Sequence, residues 1–291
     1  IGVAFAFIKV SVYSMIGLFT ESKEQHNSFM SSIEGFFMVG IASAYFLFPA
    51  FFDGNNPDAW LRVYLLLAGL IAIAFFLLLF TKIDVAIPKS EGRLIDDFTG
   101  MIKLIALPLT IFFILSAFCF VMVEQGIMTW LPTFNERVLS LNDTLSVQMA
   151  SILALSLAAG RFLAGQAVKK LHWLKIVSVC LLVAAAIVAF VLPQALNAGP
   201  RTIHAFSEIP AIGFIFPLIG LFIAPIYPLL SSATLSALPQ RMHSSMTGLI
   251  VIFSALGGTL GSRIIGMLFQ HVGGAQAFYF MLVPIAVLDR K

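Results

Sequence analysis

Apolar stretches recur along the whole of this 291-residue sequence, and no polar stretch between them is long enough to fold as a separate soluble domain. A helix needs roughly 20 apolar residues to cross a hydrocarbon core. Only helices and closed barrels satisfy every backbone polar group in lipid, and the period-2 alternation of barrel strands is absent. The expected class is therefore an all-α membrane protein. Polar or Gly/Pro-rich breaks delimit nine predicted spans: 1–20, 28–52, 60–81, 104–134, 144–168, 174–196, 208–238, 244–270 and 275–288. Charged residues are only 11% of the chain, so their positions carry most of the information.

Lys and Arg between spans divide unevenly. Twelve fall in one set of alternate loops, including Arg161, Lys169, Lys170 and Lys175, against Arg62, Arg137 and Arg201 in the other. The positive-inside bias assigns the first side to the cytoplasm, so Ile1 is expected near the outer face and the C-terminus inside. A net charge of +3 does not suggest nucleic acid. Cys119 and Cys180 lie in apolar runs as packing residues, without disulfide or metal-site spacing. No phosphate-binding loop or nucleophile-and-base spacing is present, so neither an enzyme nor a cofactor is expected. His26, His172 and His243 look like loop or helix-end residues, and the many Phe residues like lipid-facing or packing groups.

The longest connection on the basic side, 82–103, has a linker composition around Pro88-Lys89-Ser90-Glu91-Gly92-Arg93 and is expected to hold a short interfacial helix. It divides 1–81 from 104–291. Written with an offset of 217 residues, 26–68 aligns with 243–285, placing His26 on His243, Ser28 on Ser245, Phe36 on Phe253 and Gly40 on Gly257. The three spans before the linker thus correspond, in the same orientation, to the last three after it, a repeat of the kind transporter folds use. If 104–291 is one complete half, the first half begins three spans before Ile1, and the sequence is an N-terminally truncated part of a parent with about twelve helices.

Gly160-Arg161-Phe162-Leu163-Ala164-Gly165, followed by Lys169-Lys170, resembles the signature between helices 8 and 9 of the major facilitator superfamily of secondary transporters. There a glycine-rich helix end meets a short basic loop. This sequence departs from the fuller motif, with Lys169 where an aspartate is often found and His172-Trp173 in place of Gly-Arg. The resemblance implies a major facilitator type helical bundle, with this chain supplying helices 4 to 12. It also implies that 1–20, 104–134 and 208–238 line a central cavity.

Charges within spans persist only where something compensates them, since a central charge costs about 2.5 to 3.5 kcal/mol on insertion scales. Lys9, Glu34, Glu124 and Arg263 are such charges. Lys9, with Tyr13 one turn on, can face the cavity and attract an anionic solute group, or form a structural ion pair. Glu124, inside Val123-Glu124-Gln125-Gly126-Ile127-Met128-Thr129-Trp130, can take up and release a proton during transport, with Gln125 and Trp130 as solute partners; the alternative is an acid held in a kinked helix, with Trp130 a membrane-interface anchor. Tyr227 lies between Pro225 and Pro228 in a helix expected to kink or break, and can contact solute or simply pack. Glu34 is less than two turns into its span, and by the resemblance that end faces Arg161 across the halves. The pair is expected to act as a cytoplasmic latch, unless Glu34 pairs within its own half and Arg161 snorkels to headgroups. Arg263, after the small-residue pattern Gly257 to Gly261, is either an outer gate or structural.

The expected function is secondary transport of a small polar solute across the bilayer by a monomer of the bacterial inner membrane, with proton symport and alternating access. The Glu124 to Pro132 stretch is similar to helix 7 of fucose-type sugar and proton symporters. Thr129-Trp130-Leu131-Pro132-Thr133-Phe134 is also similar to organic-anion symporters, and Lys9 and Arg263 favour an organic anion or acidic sugar. A drug or metabolite exporter of the same fold, or a transporter-like sensor or scaffold, remain the alternatives.

Overall fold

The computed structural model describes residues 2–47, 49–51, 56, 58–82, 94–195, 203–239 and 242–289. Every extended element among them is helical. Before the linker come α1 (Gly2–Phe19), α2 (Lys23–Leu47) and α3 (Val63–Phe80). Then follow α4 (Leu94–Ile105), α5 (Pro108–Arg137), α6 (Asp143–Ala167) and α7 (Trp173–Ala195). A broken helix spans α8 (Ala211–Ile215), a 3-10 turn at Phe216–Leu218, α9 (Ile219–Ile223) and α10 (Ile226–Ser236). The chain ends with α11 (His243–His271), α12 (Gly274–Tyr279) and α13 (Leu282–Asp289). The centre of the linker, with Lys89 and Arg93, lies outside the described residues, as do Arg201, Arg241, Arg290 and Lys291.

Seven helical segments are individually long and apolar enough to cross a membrane. The two expected spans not among them are α2, whose first turns are polar, and the split segment α12–α13. Local chemistry moves some boundaries. α2 starts at Lys23, earlier than the expected 28, because the Ser22 hydroxyl accepts from Gln25 N at 3.1 Å and caps the first turn. Asn142 caps α6 in the same way, accepting from Leu145 N at 2.8 Å. The expected interfacial helix of the linker is α4, apolar on one face. Pro217 and Pro225 lack the N–H that a continuous helix needs, and the chain breaks into a 3-10 turn and a fresh helix start beside them.

The offset of 217 residues maps α2 onto 240–264, which overlaps α11 (His243–His271) without sharing its limits. It maps Gly2–Phe19 onto 219–236, the limits of the Ile219–Ser236 stretch of the broken helix. α1 and α9–α10 are thus equivalent elements, as are α2 and α11.

Glycines bring backbones together where they shape the interior. A Cβ on Gly257 or Gly261 would run into the backbone of Phe118 or Met122, so α11 lies directly on α5. One on Gly160 would meet the Leu221 carbonyl and, at 2.8 Å, the Ala224 methyl, which sets α6 against the broken helix. The expected structural reading of the Gly257 to Gly261 spacing is the one this packing matches. By contrast α3 buries only Val63 and presents its other apolar side chains outward. Gly257→Ala is expected to destabilise the protein by about 1 to 3 kcal/mol through overpacking. Gly69→Ala, inside α3 where nothing lies within 4 Å, is expected to cost nothing and to gain up to about 1 kcal/mol from helix propensity. Unfolding curves of the two purified variants in detergent check both.

Candidate functional site

The intramembrane charges gather at one level of the bundle. Glu34 lies eleven residues into α2 from Lys23, about 16 Å along the axis at 1.5 Å per residue. Its carboxylate meets Lys9 Nζ of α1 at 3.3 Å through Oε1, and Arg161 Nη1 of α6 at 3.0 Å through Oε2. Arg161 Nη1 also donates to the Glu34 carbonyl at 3.1 Å. Arg161 Nη2 donates to Glu124 Oε1 of α5 at 2.6 Å. Arg161 is 1% exposed, Glu34 3% and Glu124 5%.

Two cations and two carboxylates therefore balance, and the balance also holds on each side of the linker. Lys9 and Glu34 form one neutral pair, Glu124 and Arg161 the other, and the contacts between Glu34 and Arg161 cross between them. Lys9 Nζ lies 4.8 Å from the Tyr227 ring centre and 5.3 Å from that of Tyr13, so aromatic faces supplement its single ion pair.

This network floors a cavity of about 550 Å3. Of the residues singled out from the sequence, Lys9, Glu34, Glu124, Gln125, Arg161 and Tyr227 line it. Tyr13 is buried behind Lys9 and does not. Trp130 also lies apart from it. Its indole donates to the Ser262 carbonyl at 2.7 Å and stacks on Phe269 with ring centres 5.4 Å apart, fastening α5 to α11. Arg263 is exposed on α11 and forms no ion pair among the described residues.

Two expectations are corrected in position. Arg161, counted with the loop charges although the expected span 144–168 already encloses it, lies inside α6, which continues to Ala167, and the basic bias of that side rests on the remaining loop residues. The Glu34 and Arg161 pair is not at the helix end but in the cavity floor, and it shares Arg161 with Glu124.

Sequence reasoning missed Phe5, Phe37, Ser254 and Thr259, which also line the cavity. Phe5 stands four residues before Lys9 and Phe37 three after Glu34, so helical spacing puts each on the face of a charge already noticed. Ser254 and Thr259 bracket Gly257-Gly258, where α11 presses on α5. The Ser254 and Tyr227 hydroxyls are buried without a partner among the described residues.

A family model described as Major Facilitator Superfamily matches residues 1–262. The chain belongs to the Major Facilitator Superfamily. Solved structures similar to it include FucP, a major facilitator transporter, in the outward conformation, at TM-score 0.72 and 12% identity, covering 97% of this chain and 70% of that one. Another is a point variant of the E. coli fucose:proton symporter FucP, at TM-score 0.71 and 12% identity, covering 97% and 72%. No curated protein sequence matches. This major facilitator chain is a multi-pass integral membrane protein and a secondary transporter, not an enzyme.

Glu34→Gln leaves Lys9 and one side of Arg161 without their carboxylate. The expected loss is about 3 to 5 kcal/mol, as for other broken buried pairs. Arg263→Gln, on an exposed site, is expected to stay within about 0.5 kcal/mol of the parent. Denaturant unfolding of both variants in detergent measures the contrast.

Proposed function

We propose that this chain transports a small polar solute, an acidic sugar or other organic anion before a neutral sugar, by proton symport with alternating access. The carrying observation is that Glu124 has one cation partner, Arg161, which also holds Glu34 on the other side of the linker. A proton on Glu124 removes one negative charge from a balanced group and leaves Arg161 undercompensated. A solute carboxylate entering the cavity restores the balance, so proton and anion favour each other's binding. Gln125, Ser254 and Tyr227 supply hydroxyl and amide partners for the rest of the solute, with Lys9 held beside them. Tyr13 supports Lys9 from behind, and Trp130 serves the site by fixing α5 on α11.

The contacts of Glu34 with Arg161 are the gate: they tie the two segments across the cavity floor on the side that the basic loops assign to the cytoplasm. Arg263, free of this network, is assigned to the outer gate. The proposed setting is a monomer in the bacterial inner membrane. A neutral sugar fits the same cavity through the unpartnered hydroxyls of Ser254 and Tyr227, and is the second reading. The likeness to FucP supports it at the level of fold.

Uptake of labelled fucose, a hexuronate and a monocarboxylate into vesicles, with and without a pH gradient, tests the reading. The expected result is gradient-dependent accumulation of an acidic solute. Accumulation that survives collapse of the gradient overturns proton symport. Glu124→Gln, fixed in the uncharged form, is expected to abolish accumulation against a gradient while retaining solute counterflow.

A further inference from the structure

His26 opens the first turn of α2 and His243 the first turn of α11, and the offset of 217 residues makes them equivalent positions of the repeat. In the structure they meet. Their ring centres are 6.4 Å apart in an edge-on arrangement, at 4% and 6% exposure. Repeats in the same orientation are related by an axis along the membrane normal, and equivalent residues touch only where they straddle that axis. The imidazoles therefore mark the point where the segments before and after the linker close on each other at the basic end. His26 Nδ1 is hydrogen-bonded to Ser232 Oγ of α10. His243 Nε2 is 3.1 Å from the Leu238 carbonyl and donates to it, since a carbonyl only accepts. The other nitrogens, His26 Nε2 and His243 Nδ1, are buried without a partner among the described residues. Close by, Ser244 of α11 donates to Ser14 of α1 at 3.1 Å, a second tie across the same end.

We propose that His26 is a proton-operated clasp: neutral, it closes the basic end against Ser232 and His243, and protonated, it releases them. The described residues offer an imidazolium there only the neutral hydroxyl of Ser232. They form no ion pair with either ring. α10 carries no charged side chain. On α1 the one charge is Lys9, paired with Glu34 deeper in α2, and on α6 Arg161 is committed to two carboxylates. Lys23 and Glu24 beside His26, and Lys169 and Lys170 after α6, are exposed to solvent. The other charges of α11, Arg263 and His271, lie towards its far end. Arg241, two residues before His243 in sequence, is outside the described residues.

His26 precedes the apolar part of α2. Burial first, and then the facing His243, push its pKa down to about 4 from the ordinary 6.5. The closed form thus binds fewer protons than an open form with a solvated imidazole. Closure is fully favoured above about 6.5 and is lost progressively as pH falls from there towards about 4. Between pH 7.5 and 5.5 the ratio of open to closed molecules is expected to rise about ten-fold. The positive-inside bias places this end in the cytoplasm, so cytoplasmic acidification opens the cytoplasmic side. That consequence for transport rests on the alternating-access reading; the proton-dependent opening does not.

The test measures distance, not uptake. Spin labels on Glu24→Cys and Lys170→Cys, exposed positions at the basic end on the two sides of the linker, are introduced into the otherwise complete chain after Cys119→Ala and Cys180→Ala. Pulsed electron–electron distance distributions are then recorded from pH 8 to 5. The expected result is a longer-distance population that grows about ten-fold relative to the short one below pH 6.5. His26→Gln, which keeps a hydrogen-bonding group near Ser232 but does not titrate, is expected to flatten the response. His172→Gln, at an exposed histidine, is expected to retain it. A distribution in the His26-containing protein that does not change with pH overturns the proposal, whatever the variants do. So does an unaltered pH response in His26→Gln. Failure of gradient-driven uptake with the pH-dependent distance intact counts against proton symport and leaves the clasp standing.

Discussion

A guanidinium at 1% exposure in the middle of a helical bundle is the constraint from which the rest follows. Stripping a cation of water costs several kcal/mol unless its donors are met by charged acceptors in good geometry. Arg161 meets that condition at Nη1 and Nη2 by drawing two carboxylates to it, Glu124 from α5 and Glu34 from α2, together with the Glu34 carbonyl, while its Nε is buried without a partner among the described residues. One of these acids belongs to the long segment after the linker and the other to the segment before it. The same group therefore ties the two segments together and places their charges on the floor of one cavity. Lys9 then completes the balance, because two carboxylates around one guanidinium leave a net negative charge.

The glycine beside Arg161 explains how the arginine reaches that depth. Gly160 lets α6 press on the backbone at Leu221, while Gly220 in turn admits the Leu153 carbonyl at 2.9 Å from where its Cβ would stand. With the helices this close, the next residue of α6 projects past the broken helix into the interior. Pro217 and Pro225 allow the broken helix to follow this surface, and Tyr227 comes out just beyond the second break, facing Lys9. On the opposite wall, Gly257 and Gly261 set α11 against α5 and bring Ser254 and Gln125 to the same cavity.

Much of this is legible from residue chemistry. Long apolar runs define the helices, and charges inside them mark Lys9, Glu34 and Glu124, because a membrane interior makes each such residue an exception that needs a partner. Depth is harder to read. Arg161 falls inside the expected span 144–168, yet its place among glycines and alanines before a run of lysines suggests the basic end, and only its burial against two carboxylates shows how far it is withdrawn into the bundle. Partnership is harder still: the pairing of Arg161 with Glu34, 127 residues apart, is reached only through the family resemblance, and the second carboxylate on Arg161, that of Glu124, is encoded by no local pattern. Trp130 illustrates the opposite error, since an indole near charged residues suggests a solute contact while its N–H is taken by the Ser262 carbonyl. His26 reads as an ordinary helix-end residue because its partners stand on α10 and α11.

The pairing within each segment bears on how a carrier built this way avoids leaking protons. On the proposed reading, rocking about the cavity must break the contact between Glu34 and Arg161. With Glu124 ionised, the separation leaves Lys9 with Glu34 on one side and Arg161 with Glu124 on the other, each neutral, so the empty carrier can move. With Glu124 protonated and no solute, the separation leaves Arg161 buried without any carboxylate, a charge that costs several kcal/mol to strand. The contact to Glu34 then holds, and the proton does not cross alone. A solute carboxylate on Arg161 replaces the charge that the proton removed, and the loaded carrier regains the freedom of the empty one. The electrostatics thus permit movement of the empty and the fully loaded forms and hold back the form carrying only a proton, which is the condition for tight symport.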